Sequence, residues 1–417
     1  MREMRDSGIE WIGAIPFQWS IDKLKYHLKR NEPKNPGEQI VLSLYRELGV
    51  VPKDSRDDNH NVTSEDTSNY KYVRIGDFVI NKMKAWQGSV AVSDYEGIVS
   101  PAYYIYNFTD TVFYKKYFHY LLRSCYKDEF RRLSGGIREG QWDLPAEALN
   151  NTPVLIPTLS EQQTIACFLD RKSAECDSLV SDIQSQIEAL EEYKRSVITE
   201  AVTKGLDPDV EMRDSGIAWV GDIPAHWLVE KVKFHLQRNE PRNPGDKQVL
   251  SVYREYGVIP KDSRDDNHNV TSEDTSNYKY VVPGNLVINK MKAWQGSMGV
   301  SEYEGIVSPA YFIYKFTDNQ IMPKYLHYLF RSCYKDEFRR ISGGIREGQW
   351  DLSPYEFSNT LLLIPPTDEQ NRIVSYIDAR ISEIESAITE KKQQIETIEE
   401  YKKSLIFEYV TGKKEVV

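Results

Sequence analysis

Apolar residues follow two different rhythms along this chain. Over residues 160–204 they recur with a 4-3 alternation, at Leu169, Cys176, Val180, Ile183, Ile187, Leu190, Val197 and Ala201. Ser173 and Lys194 are polar breaks in the same register, and no Pro or Gly interrupts the run before Gly205. This is a coiled-coil seam, and a seam of that length needs a partner helix. Ser160-Glu161-Gln162-Gln163, just after Pro157, reads as a capping box in which the Ser hydroxyl and the Gln side chain meet amide donors at the helix start. Elsewhere β-branched and aromatic residues cluster, and residues 41–45, 72–80, 90–92, 102–108 and 152–156 predict strands. Residues 115–132 predict a helix with Tyr117, Tyr120, Leu121, Cys125 and Phe130 on or near one face. Residues 52–69 are polar without periodicity, which predicts a long loop, and loops of that length usually serve function.

The whole pattern then recurs. Met4-Arg5-Asp6-Ser7-Gly8-Ile9-Glu10-Trp11 returns as Met212-Arg213-Asp214-Ser215-Gly216-Ile217-Ala218-Trp219, and the offset of 208 holds without a gap to the end of the chain. Residues 52–73, 80–89 and 134–144 are identical to 260–281, 288–297 and 342–352. The partner for the first seam is therefore its own copy, residues 368–411. Between the copies lies Gly205-Leu206-Asp207-Pro208, a helix stop with turn chemistry. The copies have diverged unevenly: 84 of the 104 positions in 41–144 match, against 18 of the 45 in 160–204. Helices that pack on each other need complementary rather than identical faces. The globular units look held to one surface, as if both bind the same thing.

At 417 residues, 40% hydrophobic and 28% charged, the chain has ample material for two or three cores. The start is polar and mixed in charge, no apolar run approaches a membrane span, and the four Cys form no CxxC pair. A cytoplasmic protein is expected. The net charge of −10 argues against nucleic acid until it is located. Residues 160–211 carry 12 acids against 5 bases and residues 366–417 carry 11 against 8, which accounts for all of it. The globular units are neutral and keep their basic clusters free for phosphate.

Catalytic patterns are weak. Asp182 with Glu192-Tyr193-Lys194 only imitates a nuclease motif, since it lies inside the long helix, where residues two apart diverge. Gly135-Gly136 with Gly140 follows no buried strand that would make it a phosphate cradle. No Asp/Asn-Pro-Pro-aromatic segment marks an amino-methyltransferase, and no His pair has metal-ligand spacing. An enzyme is not expected, nor a cofactor or metal in this chain. What is present suits DNA. Asn81-Lys82-Met83-Lys84-Ala85-Trp86-Gln87-Gly88-Ser89 combines two cations, an aromatic ring and an amide at a strand end. Either Lys82 and Lys84 meet phosphate and Gln87 an adenine, or this is a strand end with a core Trp. Ser134-Gly135-Gly136-Ile137-Arg138-Glu139-Gly140-Gln141-Trp142-Asp143-Leu144 is a Gly-rich loop bearing Arg138 and Gln141, residue types that read guanine and adenine edges. It follows the basic pair Arg131-Arg132, and Gly turns around a core Trp142 are its plainer explanation. Arg56 and Asn59 lie in the long loop, whose acids would repel phosphate unless they accept from cytosine. The repeat supplies Arg264, Asn267, Lys290, Lys292, Gln295, Arg346 and Gln349 as the equivalent DNA-binding candidates.

Ser7-Gly8-Ile9-Glu10-Trp11-Ile12-Gly13, continuing to Ile15-Pro16 and Trp19, resembles the opening of target recognition domains in specificity subunits of Type I restriction–modification systems. Ile156-Pro157 with Glu161-Gln162, Ile165-Ala166 and Leu169-Asp170, closing on Glu192-Tyr193-Lys194, resembles that family's helical repeat. Ile364-Pro365, Glu369-Gln370 and Glu400-Tyr401-Lys402 repeat it. The resemblance covers essentially the whole chain. It implies an α+β fold: two pseudo-twofold-related, β-rich target recognition domains, 1–158 and 209–366, separated by helices 159–208 and 367–417 that form an antiparallel coiled coil. A helix of about 40 residues would make a spacer roughly 60 Å long, with the domains about one DNA turn apart. The implied function is non-catalytic: to read a bipartite target in double-stranded DNA and dock two adenine methyltransferase subunits, which bind S-adenosylmethionine, with motor–nuclease subunits able to join. Family members usually carry two different domains. Two nearly matching ones imply an interrupted, near-palindromic target, with Arg74/Val282, Ile75/Pro283 and Asp77/Asn285 as differences that can shift one position. The alternatives are the specificity partner of a related enzyme that cuts on both sides of its site, and a coiled-coil scaffold with repeated protein- or sugar-binding units.

Overall fold

A computed structural model describes residues 2–46, 48–55, 66–136, 142–254, 256–263, 274–344 and 350–416. The chain divides into two compact units, one joining Met1–Ile183 to Lys392–Val417 and the other the continuous stretch Gln184–Lys391. The fold class is α+β, with a mixed strand-and-helix domain and parts of two long helices in each unit.

In the first unit an antiparallel sheet runs in the order Leu28–Arg30, Tyr103–Phe108, Phe78–Asn81, Val90–Val92. Both faces of its centre are covered, which explains the unbroken apolar runs. Phe78, Ile80, Val90 and Tyr106 enter a large core with the helix Lys115–Cys125, while Val79, Ala91 and Ile105 face a smaller core. That second core is closed by the hairpin Leu42–Tyr45/Gly49–Pro52 and by the paired strands Lys71–Val73 and Gly97–Val99. The second unit repeats the sheet with Leu236–Arg238, Tyr311–Phe316, Leu286–Asn289 and Met298–Val300.

Three sequence expectations change. The strand expected over 72–80 is two, Lys71–Val73 and Phe78–Asn81, because Gly76 at φ 85° and the Asp77 carboxylate, which accepts from the Arg74 amide at 2.9 Å, turn the chain between them. The helix expected over 115–132 is also two, Lys115–Cys125 and Lys127–Leu133. Tyr126 breaks it, fully buried, with its hydroxyl donating to the Pro153 carbonyl at 2.8 Å. The first long helix, Leu159–Lys204, starts ahead of the capping box placed at Ser160. Thr158 caps it, its hydroxyl accepting from the Glu161 amide at 3.3 Å. Gln162, not Gln163, is the structural amide. Buried, it donates to the Val112 and Pro157 carbonyls and accepts from the Tyr114 amide. Gln370 repeats this clamp on Gln320, Pro365 and Met322.

The second long helix is Thr367–Val410, and within each unit the two helices pair antiparallel. In the first unit Phe168 meets Tyr409 in a tilted contact with ring centroids 4.5 Å apart, and Lys402 reaches Asp177 at 2.6 Å. In the second, Lys194 reaches Glu385 at 2.6 Å, and Lys391 donates to the side-chain Oε1 of Gln186. The seam residues Leu169, Cys176, Ile187, Val197 and Ala201 are buried. Each domain also receives the end of one helix. The Tyr117 hydroxyl donates to the Val410 carbonyl at 2.9 Å, and the Tyr325 hydroxyl donates to the Val202 carbonyl at 3.2 Å.

Candidate nucleic-acid interface

The strand Phe78–Asn81 runs out of the sheet into a tight turn carrying Lys82, Met83 and Lys84, followed by a single helical turn, Ala85–Gln87. The Asn81 side chain accepts from the Met83 amide at 3.2 Å, its carbonyl accepts from the Lys84 amide at 3.0 Å, and the Trp86 indole donates to the Met83 carbonyl at 3.1 Å. Ala85 is fully buried. Gly88 follows at φ 88°, so its glycine is required by the backbone itself. This turn is a rigid mount, with Lys84 exposed on it.

The Gly-rich loop starts and finishes beside that mount. Gly135 and Asp143 exchange backbone hydrogen bonds at 3.2 and 2.9 Å, and the Leu144 amide donates to the Lys82 carbonyl at 3.0 Å. The two described ends of the loop are therefore joined to each other, and the end at Leu144 is tied to the lysine turn. Trp86 and Trp142 meet there with ring centroids 5.3 Å apart at 56°, a tilted aromatic contact. Arg131 lies over Trp142 at 5.9 Å. The neighbouring Arg132 is used differently, forming a two-bond fork, at 2.6 and 2.7 Å, with the buried carboxylate of Glu129. The basic helix end thus divides into one structural arginine and one that borders the interface.

Lys82 pairs with Asp143 at 3.0 Å, its side chain 30% exposed. The Gln87 carbonyl accepts from the Arg46 guanidinium. A guanidinium only donates, so Gln87 must present its oxygen to Arg46 and keep its NH2 as a donor. Adenine pairing through both ends of Gln87 requires Arg46 to let go. Arg46 itself escaped sequence reasoning. It lies at the tip of the hairpin Leu42–Tyr45/Gly49–Pro52, exposed, and its only sequence signal is an Arg at a turn between two apolar runs, repeated as Arg254.

The second unit reproduces the arrangement. Lys290 pairs with Asp351 at 3.1 Å, Trp294 meets Trp350 at 5.5 Å, Arg339 lies over Trp350 at 5.7 Å, and Arg254 donates to Gln295. Lys292 occupies the position of Lys84 and is exposed. Of the sequence candidates, the structure gathers Lys82, Lys84 and Gln87, and again Lys290, Lys292 and Gln295. Arg56, Asn59, Arg138, Gln141, Arg264, Asn267, Arg346 and Gln349 lie outside the described residues. What the arrangement offers is cations, indole faces and amide donors on a stiff support, the chemistry of phosphate contact and base reading.

The chain is similar in sequence and fold to proteins of known kind. The family described as Type I restriction modification DNA specificity domain matches residues 24–189 and 235–397. The putative type I restriction enzyme MjaX specificity subunit of Methanocaldococcus jannaschii is 22% identical, with 96% of this chain and 95% of that protein aligned. The type I restriction enzyme EcoKI specificity subunit of Escherichia coli is 23% identical over 62% of this chain and 57% of that protein. Among solved structures, the HsdS subunit from Thermoanaerobacter tengcongensis superposes with a TM-score of 0.51 at 14% identity, covering 96% of this chain and 98% of that one. A chain from a structure addressing complex assembly and conformational transition of the type I R-M system reaches 0.62 at 12% identity, covering 96% and 99%. Two matched segments, each spanning a sheet-bearing domain and running into a long helix, place the chain: it belongs to the DNA specificity family of Type I restriction–modification systems, as a specificity subunit.

Proposed function

We propose that this chain is the non-catalytic reader of a Type I restriction–modification complex, each unit presenting one surface to one half of a bipartite site in double-stranded DNA. The recognition domains are 1–158 and 209–366, and the helical segments are 159–208 and 367–417. Two adenine methyltransferase subunits dock on it and supply S-adenosylmethionine, and motor–nuclease subunits can join the same complex. One observation carries the reading: the lysine turn, the Trp pair and the arginine at its edge recur residue for residue in the two units, while the helices between them have drifted. Two equal surfaces ask for two equal half-sites, so the target is an interrupted, near-palindromic sequence with an adenine modified in each half. The test is to express the chain with its methyltransferase and map modified adenines across the host DNA. Matching half-sites in opposite orientation are expected; two unrelated half-sites overturn the palindrome, and no sequence-dependent modification overturns the reading itself.

A further inference from the structure

Three arginines of the first unit differ in what holds them. Arg30 closes its fork on Glu32 at 2.7 and 2.9 Å, and Arg132 closes on Glu129. Both forks are consumed and their charges balanced by carboxylates. Arg46 meets a neutral amide instead, the Gln87 carbonyl, through one terminal nitrogen. An amide fixes a guanidinium in direction without neutralising it. Of its five N–H donors, one is spent on Gln87 among the described residues, and the remaining four keep the paired geometry that matches two acceptors side by side. The support is stiff on both sides. Gln87 belongs to the helical turn packed against Lys127–Leu133 and ended by Gly88, while Arg46 directly follows a paired strand of the hairpin. The pair recurs as Arg254 and Gln295, and there Arg331 also donates to the Arg254 backbone carbonyl, tying the hairpin tip to the helix Pro323–Ser332.

On the basis of the DNA-reading role proposed above, we propose that Arg46 and Arg254 each read a guanine in the major groove, with Gln87 and Gln295 as the positioning residues that hold them. The two acceptors N7 and O6 of guanine are what a pre-aimed fork fits best when no carboxylate among the described residues neutralises it. A bare phosphate needs only charge; it does not need the direction that Gln87 imposes.

The experiment uses the full chain with its methyltransferase and a duplex target obtained by selection from a random library. Each guanine of that target is replaced in turn by 7-deazaguanine, which lacks the N7 acceptor. The unmodified protein is expected to lose about tenfold to a hundredfold in affinity at one guanine per half-site. Arg46→Ala with Arg254→Ala should bind the parent duplex more weakly and become indifferent to those two replacements. Arg46→Lys with Arg254→Lys keeps the charge and should keep the salt dependence while losing the guanine preference. Gln87→Ala with Gln295→Ala should weaken binding and shrink, without relocating, the response to 7-deazaguanine. A target without guanine overturns the proposal. So does a Lys variant that keeps the preference, or an Ala variant whose weaker binding still responds to the same replacements. A chain that selects no sequence at all instead defeats the underlying reading, so the two failures are distinguishable.

Discussion

At the scale of single residues, His119 and His327 stand out because neither has an evident part in recognition. Each is half-buried on its helix beside an arginine, with a ring nitrogen 2.9 Å from Arg123 or Arg331. Burial first, and the neighbouring guanidinium second, push His119 down to about 4 and His327 down to about 3, from an ordinary 6.5. A base with a lowered folded-state value stays neutral in the fold after the unfolded chain has begun to bind a proton. Stability is therefore intact above about pH 6.5 and falls as the pH drops toward 4, by up to about 1.4 kcal/mol per pH unit for each imidazole. The unfolding midpoint should decline between pH 7 and 5, and His119→Gln with His327→Gln should flatten that part of the profile. A slope unchanged in the double variant would assign the decline to other groups.

Among the elements, the helical pair shows how polar seam positions are used. Lys194 looked like a break in the apolar register, and in sequence terms it was one. In the fold it reaches across to Glu385, and its repeat equivalent Lys402 reaches Asp177, each at 2.6 Å. A half-buried lysine that finds an acid in only one alignment selects orientation and register more than it adds stability. Lys194→Glu should cost about 1 kcal/mol in thermal unfolding, and adding Glu385→Lys should restore most of it. If the reversal restores nothing, the pair is incidental. The long helices and their repeat were legible in the sequence because periodicity and identity can be read from the residues alone. The clamp of Gln162 and the pairing of Arg46 with Gln87 were not, since both join residues about forty to fifty positions apart through side chains that no period announces. Tyr126 broke its helix for a tertiary reason of the same sort, a buried ring bonded 27 residues away, whereas the break at Gly76 is a local left-handed turn.

For the whole molecule, duplication makes a quantitative demand. If both units meet DNA with equal surfaces, equivalent substitutions must act equally. Lys84→Ala and Lys292→Ala should each weaken duplex binding by a similar factor and each reduce the slope of log affinity against log salt by about 0.9, with the double variant showing the sum. A large effect from one lysine and none from the other would mean that the two surfaces are not used alike, despite their identity. Within 41–144 the sequence differences between units do not touch the shared interface residues; half of them fall at 74, 75, 77, 78, 107 and 111–115, around the turn of Gly76 and the approach to the Gln162 clamp.

The make-up of the first unit has a consequence for how the protein comes into being. Its core contains Leu405 and Val410, and at Gly412 an added methyl would strike Pro16 and Trp19, so residues that precede and follow the second unit in the chain share one interior. The second unit is one uninterrupted stretch. On the ribosome, where chains emerge N-terminus first, the second domain can finish while the earlier-made one still waits for its closing piece. The domain synthesised first is the last to be completed, and until then its unfilled interior is the part of the nascent chain that depends most on protection from aggregation.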